Sequence, residues 1–206
     1  MMTTCNCKST HVQGRRIVIT GGPGAGKTAL LEIANKKFCQ HVAALPEAAT
    51  IIFSGGFWRH NTLASRRAGQ RAIYHVQREL EQMVEDEARY ALALCDRGTV
   101  DGIAYWAGEE VDYWRELGTT REAELARYAA VIHLRTPTAE EGYNNQNPVR
   151  IETAAEARRI DERIDAAWAG HPRRYFVDSH MDFLSKVQKG LALIAAEIPE
   201  CCRPGA

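Results

Sequence analysis

The eight residues Gly21–Thr28, GGPGAGKT, constrain the fold of this chain more than any other segment. They match the pattern G-x-x-x-x-G-K-[ST], with Gly21, Gly26, Lys27 and Thr28 at its fixed positions. A run rich in β-branched residues, IVIT, comes directly before the match, and an apolar-periodic segment, ALLEIANKKF, follows it directly. The sequence therefore predicts a strand, a tight glycine-rich turn and a helix in immediate succession.

A loop of this composition, here called the phosphate loop, is suited to hold the phosphates of a nucleotide. Glycines let backbone N–H groups turn inward without Cβ clashes, and the helix start adds the positive end of its dipole. Lys27 would supply a charge to the β- and γ-phosphates, and the Thr28 hydroxyl would ligate Mg²⁺. We therefore expect Mg²⁺ and ATP as cofactors, with GTP possible. The predicted nucleotide contacts are Gly21, Gly22, Pro23, Gly24, Ala25, Gly26, Lys27, Thr28 and Ala29.

Five short apolar runs alternate with longer helical patterns, which is the order of elements in a parallel α/β sheet. The predicted strands are Arg16–Thr20, His41–Leu45, Ala91–Cys95, Ala130–Leu134 and Tyr175–Val177. Periodicity predicts helices over Arg71–Glu87 and Thr153–Trp168 and from Phe183, with capping boxes at Thr153 and Ser179. We expect the three-layer P-loop NTPase fold: a five-stranded parallel sheet in the order 2-3-1-4-5 with helices on both faces. The domain is predicted over residues 15–198, between a flexible tail over 1–14 and a second tail over 199–206.

Composition excludes several classes of function. Lys and Arg number 26, as do Asp and Glu, so no basic excess predicts a nucleic-acid partner. The apolar runs are too short for a membrane span, and the polar N-terminal segment lacks the apolar stretch of a secretory signal. We therefore expect a cytoplasmic protein, with its oligomeric state left open.

The six cysteines are the obvious candidates for a metal site or disulfides. Zinc ligands usually come as two pairs with two to four residues of spacing, but Cys201 and Cys202 are adjacent, and no histidine pair accompanies either doublet. We therefore interpret the cysteines as reduced thiols, with disulfides between the Cys5–Cys7 tail and the C-terminal tail left open.

Further polar candidates follow two predicted strands, because ligands of parallel sheets bind beyond the carboxyl ends of the strands. Asp96 would hold Mg²⁺ through water beside Thr28, and Arg97 would neutralise a transferring phosphoryl group or hold an acceptor phosphate. Glu47 would face the γ-phosphate and accept a proton from a substrate hydroxyl. The structural alternatives are an Asp96–Arg97 ion pair, a helix cap at Asp96 and a helix-dipole role for Glu47.

Two aromatic segments, Ser54–His60 and Tyr105–Trp114, look unlike core. Loops of this kind near strand ends stack bases or hold sugar hydroxyls, and Trp58 is our candidate for a substrate contact. A small lid that packs its own aromatics, or a partner contact, stays equally open. His133, inside a strand, and His75, on a helical pattern, are expected to be core residues.

The segments ITGGPGAGKT, LPEAA, LCDRGTVDGIAYW and YNNQNPVRIETAAEARRIDERI together extend these predictions. Between about Arg15 and Ile198 the chain resembles a family of small single-domain AAA-type ATPases, related to nicotinamide riboside kinases and deoxynucleoside kinases. The resemblance implies that Glu47 is a base or hydroxyl anchor and that Arg150, ahead of the lid-side helix, contacts substrate. Asp96-Arg97 takes the place of the family's acidic-Arg-Ser motif, with Gly98 instead of the serine.

Two functions follow from these residues. In a small-molecule kinase, Lys27, Glu47, Asp96 and Arg97 would be catalytic. Its substrate contacts would be Glu47, Arg97, Arg150 and Trp58, and its metal ligands Thr28 and Asp96. In an NTPase switch, the nucleotide would control a protein partner and water would be the only acceptor. The guanine-selecting pattern Asn-Lys-x-Asp is incomplete at Asn35-Lys36-Lys37, which favours ATP.

Overall fold

The computed structural model describes residues 5, 7–8, 10–11, 14–137 and 153–203. Its strands are β1 (Arg15–Thr20), β2 (Val42–Leu45), β3 (Leu92–Asp96), β4 (Ala130–Leu134) and β5 (Arg174–Val177). Its α-helices are α1 (Lys27–Lys37), α2 (Ala48–Ser54), α3 (Leu63–Asp86), α4 (Glu110–Leu117), α5 (Arg121–Leu125), α6 (Ala154–Ala167) and α7 (Phe183–Glu197). Short 3₁₀ helices cover Thr99–Tyr105 and Glu200–Cys202.

The five strands form one parallel sheet in the order β2-β3-β1-β4-β5, as predicted. The central strand β1 pairs with β3 on one side, with Ile17 opposite Leu94, and with β4 on the other, with Ile17 opposite Ala130. Because all strands run in one direction, their carboxyl ends share one edge of the sheet. The residues that follow β1, β2 and β3 therefore meet there.

Both faces of the sheet are covered, which explains the uninterrupted apolar runs of its strands. Ile17 and Ile19 lie in a core formed with α1 and α7. Val18, between them, points to the other face and lies in a second core, with Trp168 at the end of α6 and Tyr113 of α4. Alternate residues of β1 therefore serve two separate cores, and the predicted layers on both faces are confirmed.

Helix boundaries differ from prediction where a cap, not periodicity, decides them. α3 begins at Leu63 rather than at Arg71, because the Thr62 hydroxyl accepts a hydrogen bond from the N–H of Ser65 at 3.2 Å. α7 is capped by Asp182, whose carboxylate accepts from Ser185, so the predicted capping box at Ser179 is wrong. The box of Thr153 with Glu156 at the start of α6 is confirmed.

Part of the segment Tyr105–Trp114 packs inside the protein, whereas Val111 is 66% exposed and Tyr105 lines the cavity described below. Tyr113 and Trp114 in α4 are 1% and 8% exposed, and the Tyr113 hydroxyl donates to the Thr99 carbonyl at 2.8 Å. The amphipathic turns of α4 bury these rings while its acidic residues face outward. His75, expected in the core, is exposed on α3, whereas His133 is buried in β4 as expected.

The chain continues to pack beyond residue 198. Cys202 is 1% exposed and lies in the core beside α1 and α7. Residues 199–203 therefore extend the folded domain, where the sequence suggests a loose tail. Within the described residues no helix has the length and apolar character to cross a bilayer.

Candidate functional site

The phosphate loop joins the carboxyl end of β1 to the start of α1, as its sequence predicts. Gly26 caps α1 with φ of 93°, in the left-handed region that glycine adopts without strain. Gly21 has φ of 132°, and a Cβ there would overlap the carbonyl of Leu134. The backbone path of the loop therefore needs glycine at these two positions of the motif.

Lys27 is held inside this loop. Its Nζ donates to the carbonyl oxygens of Gly21 and Gly22, both at 3.0 Å, and the residue is 7% exposed. Burial, and next the nearby charge of Arg97, lower the pKa of Lys27 to about 8, although carboxylates around it act in the opposite direction. The ammonium thus lies at the centre of the loop, where phosphates would enter.

Glu47 and Arg97 form the ion pair of this site. Glu47 follows β2 and Arg97 follows β3, and the Arg97 Nε donates to Glu47 Oε1 at 2.7 Å. The Thr50 hydroxyl donates to Glu47 Oε2 at 2.5 Å. Burial alone would raise the pKa of Glu47, but Arg97 and Lys27 outweigh it and lower that pKa to about 2. Glu47 is therefore a carboxylate at neutral pH, with its charge directed at the cations of the site.

Arg97 is positioned by a residue that the sequence does not single out, Asp101. Arg97 has φ of 70°, which is strained for a side chain with a Cβ. Its Nη1 donates to the Gly21 carbonyl at 3.2 Å and lies 3.5 Å from Asp101 Oδ1. Asp101 is 2% exposed and accepts from the Gly98 N–H at 2.9 Å and from Trp168 Nε1 at 3.1 Å. These bonds hold the Arg97 turn against the phosphate loop.

Asp96 has a different environment. It ends β3 at 7% exposure, and its Oδ1 is buried without a hydrogen-bond partner among the described residues. Burial raises the pKa of Asp96 to about 6, against the attraction of Lys27. Neither structural alternative applies here, since Arg97 pairs with Glu47 and Asp101 and the following 3₁₀ helix begins after Gly98.

Asp96 and Thr28 supply oxygen atoms of the kind that magnesium takes as ligands. Both residues line the same cavity, and Thr28 is exposed at the start of α1. Mg²⁺ takes hard oxygen ligands and is typically bound through one or two protein oxygens together with phosphates and water. A buried carboxylate oxygen that lacks a protein donor is suited to such an ion, because the ion or its water would supply the missing partner.

A cavity of about 370 Å³ extends from the phosphate loop to α2 and α3. Thr28, Glu47, Asp96 and Arg97 line its inner end with Lys27. The side formed by α2, α3 and their connection, here called its outer end, is lined mainly by aromatic and polar side chains: Phe53, Trp58, Arg59, His60, Gln70, Tyr74 and Gln77. The Tyr105 ring also lines the cavity and lies against Arg97, with 5.4 Å between the guanidinium carbon and the ring centroid. Trp58 is 77% exposed, so its ring is available for contact at the mouth of the cavity. This volume lies within the range of small-molecule sites.

Helix α6 reaches the phosphate loop through Asp161, which the sequence also does not single out. Asp161 Oδ1 accepts from the Gly22 N–H at 2.7 Å, and His133 Nε2 lies 2.9 Å from the same oxygen. The Thr136 hydroxyl donates to it at 3.3 Å. Three chain segments thus meet at one carboxylate, which keeps the second glycine of the loop in position.

The structure brings most of the predicted site together. Lys27, Thr28, Glu47, Asp96 and Arg97 line one cavity with Pro23, Gly24 and Trp58. Five of the predicted nucleotide contacts are not among the described residues that line this cavity: Gly21, Gly22, Ala25, Gly26 and Ala29. Arg150 lies outside the described residues. In the sequence, Asp101 and Asp161 are single carboxylates, the first five residues after the end of β3 and the second in the middle of α6.

Comparison with known proteins agrees with this geometry. The family model AAA_28, described as an AAA domain, matches residues 16–184, which include the phosphate loop, Glu47 and Asp96-Arg97. No curated protein matches the chain. The match covers most of the chain and the whole of the described site. The chain therefore belongs to this AAA domain family of P-loop nucleotide-binding proteins.

Proposed function

We propose that this protein is a Mg²⁺-dependent, ATP-binding, kinase-like phosphotransferase that acts on a small nucleoside-like molecule. The observation that carries this proposal is the cavity between the phosphate loop and α2–α3, which offers space for a second small molecule beside the nucleotide phosphates. A protein that only hydrolyses ATP needs room for water alone. The residues of this cavity supply both an apolar wall and charged groups at its inner end.

The outer end of the cavity suits a flat, polar ring. Phe53 presents aromatic surface, and Trp58 adds an exposed ring at the mouth. Gln70 on α3 brings an amide group, which is suited to hydrogen-bond with the edge of a heterocyclic base, whereas the buried Gln77 amide donates to Glu81 at 2.8 Å. A nucleoside placed here would direct its sugar hydroxyls toward Glu47 and the phosphate loop.

At the inner end, each charged residue has a distinct task. Lys27 would bind the β- and γ-phosphates, and Arg97 would stabilise charge on the transferring phosphoryl group. Glu47, with its pKa near 2, is a weak base, so it is better suited to orient the acceptor hydroxyl by accepting its hydrogen bond. Mg²⁺ held by Thr28 and Asp96 would neutralise phosphate charge. Asp101 would hold the Arg97 side chain in position during the reaction.

The test combines an acceptor screen with one variant. Nucleosides and related vitamins are incubated with the protein and MgATP, and ADP formation is followed with and without each compound. Glu47→Gln keeps the shape of the side chain but removes its charge, so we expect loss of transfer with nearly unchanged ATP affinity. Glu79→Gln, an exposed position on α3, is the matched control and should transfer normally. Normal transfer by Glu47→Gln would show that the acceptor assignment is wrong.

One observation favours the alternative function, a nucleotide-dependent switch that binds a protein. Large apolar side chains are exposed beside the cavity on α2, α3 and their connection: Ile51 at 42%, Phe57 at 39%, Trp58 at 77% and Leu63 at 58%. In a switch, the bound nucleotide would alter this surface. Slow ATP hydrolysis that no small molecule stimulates, together with a partner retained only in the presence of one nucleotide state, would support it over the kinase.

A further inference from the structure

Four metal-ligating side chains from three chain segments meet far from the phosphate loop. They are Cys5 in the N-terminal segment, Cys39 and His41 between α1 and β2, and Cys202 in the C-terminal 3₁₀ helix. Their ligand atoms all lie within 4.8 Å of one another. The His41 carbonyl accepts from the N–H of Ala91, just before β3, so the cluster lies at the amino ends of the strands. The six-residue strand β1 spans roughly 20 Å, which separates this edge from the nucleotide site.

The spacing of these atoms is that of ligands around one ion. His41 Nδ1 lies 3.1 Å from Cys5 Sγ and 3.5 Å from Cys202 Sγ. In a tetrahedral zinc site, with Zn–S of about 2.3 Å and Zn–N of about 2.05 Å, neighbouring sulfur and nitrogen ligands lie about 3.5 Å apart. We propose that Cys5, Cys39, His41 and Cys202 bind a structural zinc ion as a Cys₃His site.

The chemistry of the cluster favours zinc over unligated thiols or a disulfide. All six cysteines lie in the described part of the chain, and none forms a disulfide. A disulfide would use two sulfurs and give the imidazole of His41 no role, whereas thiolate and imidazole together are the usual ligands of structural zinc. On binding, the three thiols release their protons to solvent and neutral His41 donates its Nδ1 lone pair, so the charge balances.

A second group, Cys7 and His11, lies against this cluster and shares two of its members. His11 Nε2 is 3.5 Å from Cys202 Sγ and 3.6 Å from Cys7 Sγ. The first group takes only one ligand, Cys5, from the terminal segment and has Cys39 fixed in the core, whereas the second group takes both Cys7 and His11 from the terminal segment. We therefore assign Cys7 and His11 as positioning residues. A hydrogen bond to the Cys202 sulfur would orient that ligand and tune its basicity.

A zinc ion here would join both ends of the chain to the middle of the fold. Cys202 and Cys39 are 1% and 6% exposed and already lie in one core with α1 and α7. The N-terminal segment would contribute only Cys5. A link between Cys5 and Cys202 closes a long loop, which lowers the conformational entropy of the unfolded chain. The site would therefore stabilise the fold without taking part in phosphate chemistry.

Zinc content of the full-length protein tests this proposal. The protein is purified with a thiol reductant and without chelator, and zinc is measured by elemental mass spectrometry. We expect one zinc per chain in the wild type and in Cys201→Ser, a control at the exposed neighbouring cysteine. Cys5→Ser should lose the ion to a chromogenic chelator that the wild type resists. Cys7→Ser should keep the stoichiometry with affinity lowered roughly 10- to 100-fold.

Cobalt substitution counts the sulfur ligands independently. Tetrahedral Co²⁺ gives ligand-field bands, and its thiolate charge-transfer band should fall by about a third in Cys5→Ser, from three sulfurs to two. Cys5 is only partly buried at the edge of the core, so circular dichroism should show that this variant still folds. The proposal fails if the reduced wild type takes up no stoichiometric zinc. It also fails if Cys5→Ser holds zinc as tightly as the wild type.

Discussion

Replacing Asp96 with asparagine should stabilise the protein in the absence of nucleotide and divalent ions. Asp96 is 7% exposed, its Oδ1 has no hydrogen-bond partner among the described residues, and its pKa is raised from 3.8 to about 6. At neutral pH the folded state therefore holds a carboxylate whose ionisation costs more than it does in the unfolded chain. Asparagine keeps the shape of the side chain and removes that cost.

The size of the effect follows from the pKa of Asp96. The pKa rises from 3.8 to about 6, and each pKa unit corresponds to about 1.4 kcal/mol. Ionised Asp96 therefore destabilises the folded state by about 3 kcal/mol at neutral pH. The amide N–H groups of asparagine need partners that the site does not fully supply, which reduces the expected gain to about 1–2 kcal/mol. For a chain of 206 residues this is a rise in Tm of roughly 2–8 °C.

The gain should depend on pH with a definite sign. Because the folded pKa of Asp96 lies above the unfolded one, the wild type loses stability as pH rises from about 3.8 to about 6 and no more above that. The difference between Asp96→Asn and the wild type should thus be complete at pH 8 and nearly absent at pH 4. Urea denaturation in EDTA at both pH values measures it.

A second buried carboxylate provides the control. Asp101 accepts hydrogen bonds from the Gly98 N–H and Trp168 Nε1, and an amide cannot replace all its acceptor capacity. Asp101→Asn should therefore destabilise by about 1–3 kcal/mol. If Asp96→Asn is no more stable than the wild type at pH 8, or gains equally at pH 4, the account of Asp96 as an unsatisfied carboxylate is refuted. In the presence of Mg²⁺, the same variant should bind ATP more weakly.

Three further substitutions test other parts of the site. Lys27→Ala removes the loop cation and should weaken ATP binding by roughly 10- to 100-fold in calorimetry, and unchanged affinity would contradict the nucleotide assignment. Asp161→Ala leaves the Gly22 N–H and His133 without their shared acceptor, so we expect a loss of about 1–3 kcal/mol in urea denaturation together with weaker nucleotide binding. Trp58→Ala should change stability by less than about 0.5 kcal/mol, because the ring is 77% exposed. The same substitution should raise the KM for the acceptor and leave the KM for ATP unchanged. An unchanged acceptor KM would show that Trp58 does not belong to the substrate site.

Capping and burial decided the features that periodicity missed. The start of α3 depends on the Thr62 hydroxyl, nine residues before the strong apolar pattern begins at Arg71. The burial of Tyr113 and Trp114 depends on which side of α4 meets the second core, and a short aromatic segment carries no sign of that. Similarly, residues 199–203 resemble a tail in composition, yet Cys202 fills a place beside α1 and α7.

By itself the sequence determined the phosphate loop, the order of strands and helices, and the family-level fold. These depend on local patterns, since glycine spacing, β-branched runs and helical periodicity act over a few residues. Tertiary structure alone decided how the charges of the site pair. Arg97 meets Glu47 rather than Asp96, because residues that follow parallel strands meet across the sheet edge irrespective of their distance along the chain. Tertiary packing also brings Cys5, which precedes β1, and Cys202, which follows α7, together at the opposite edge, where spacing in the sequence predicted no site.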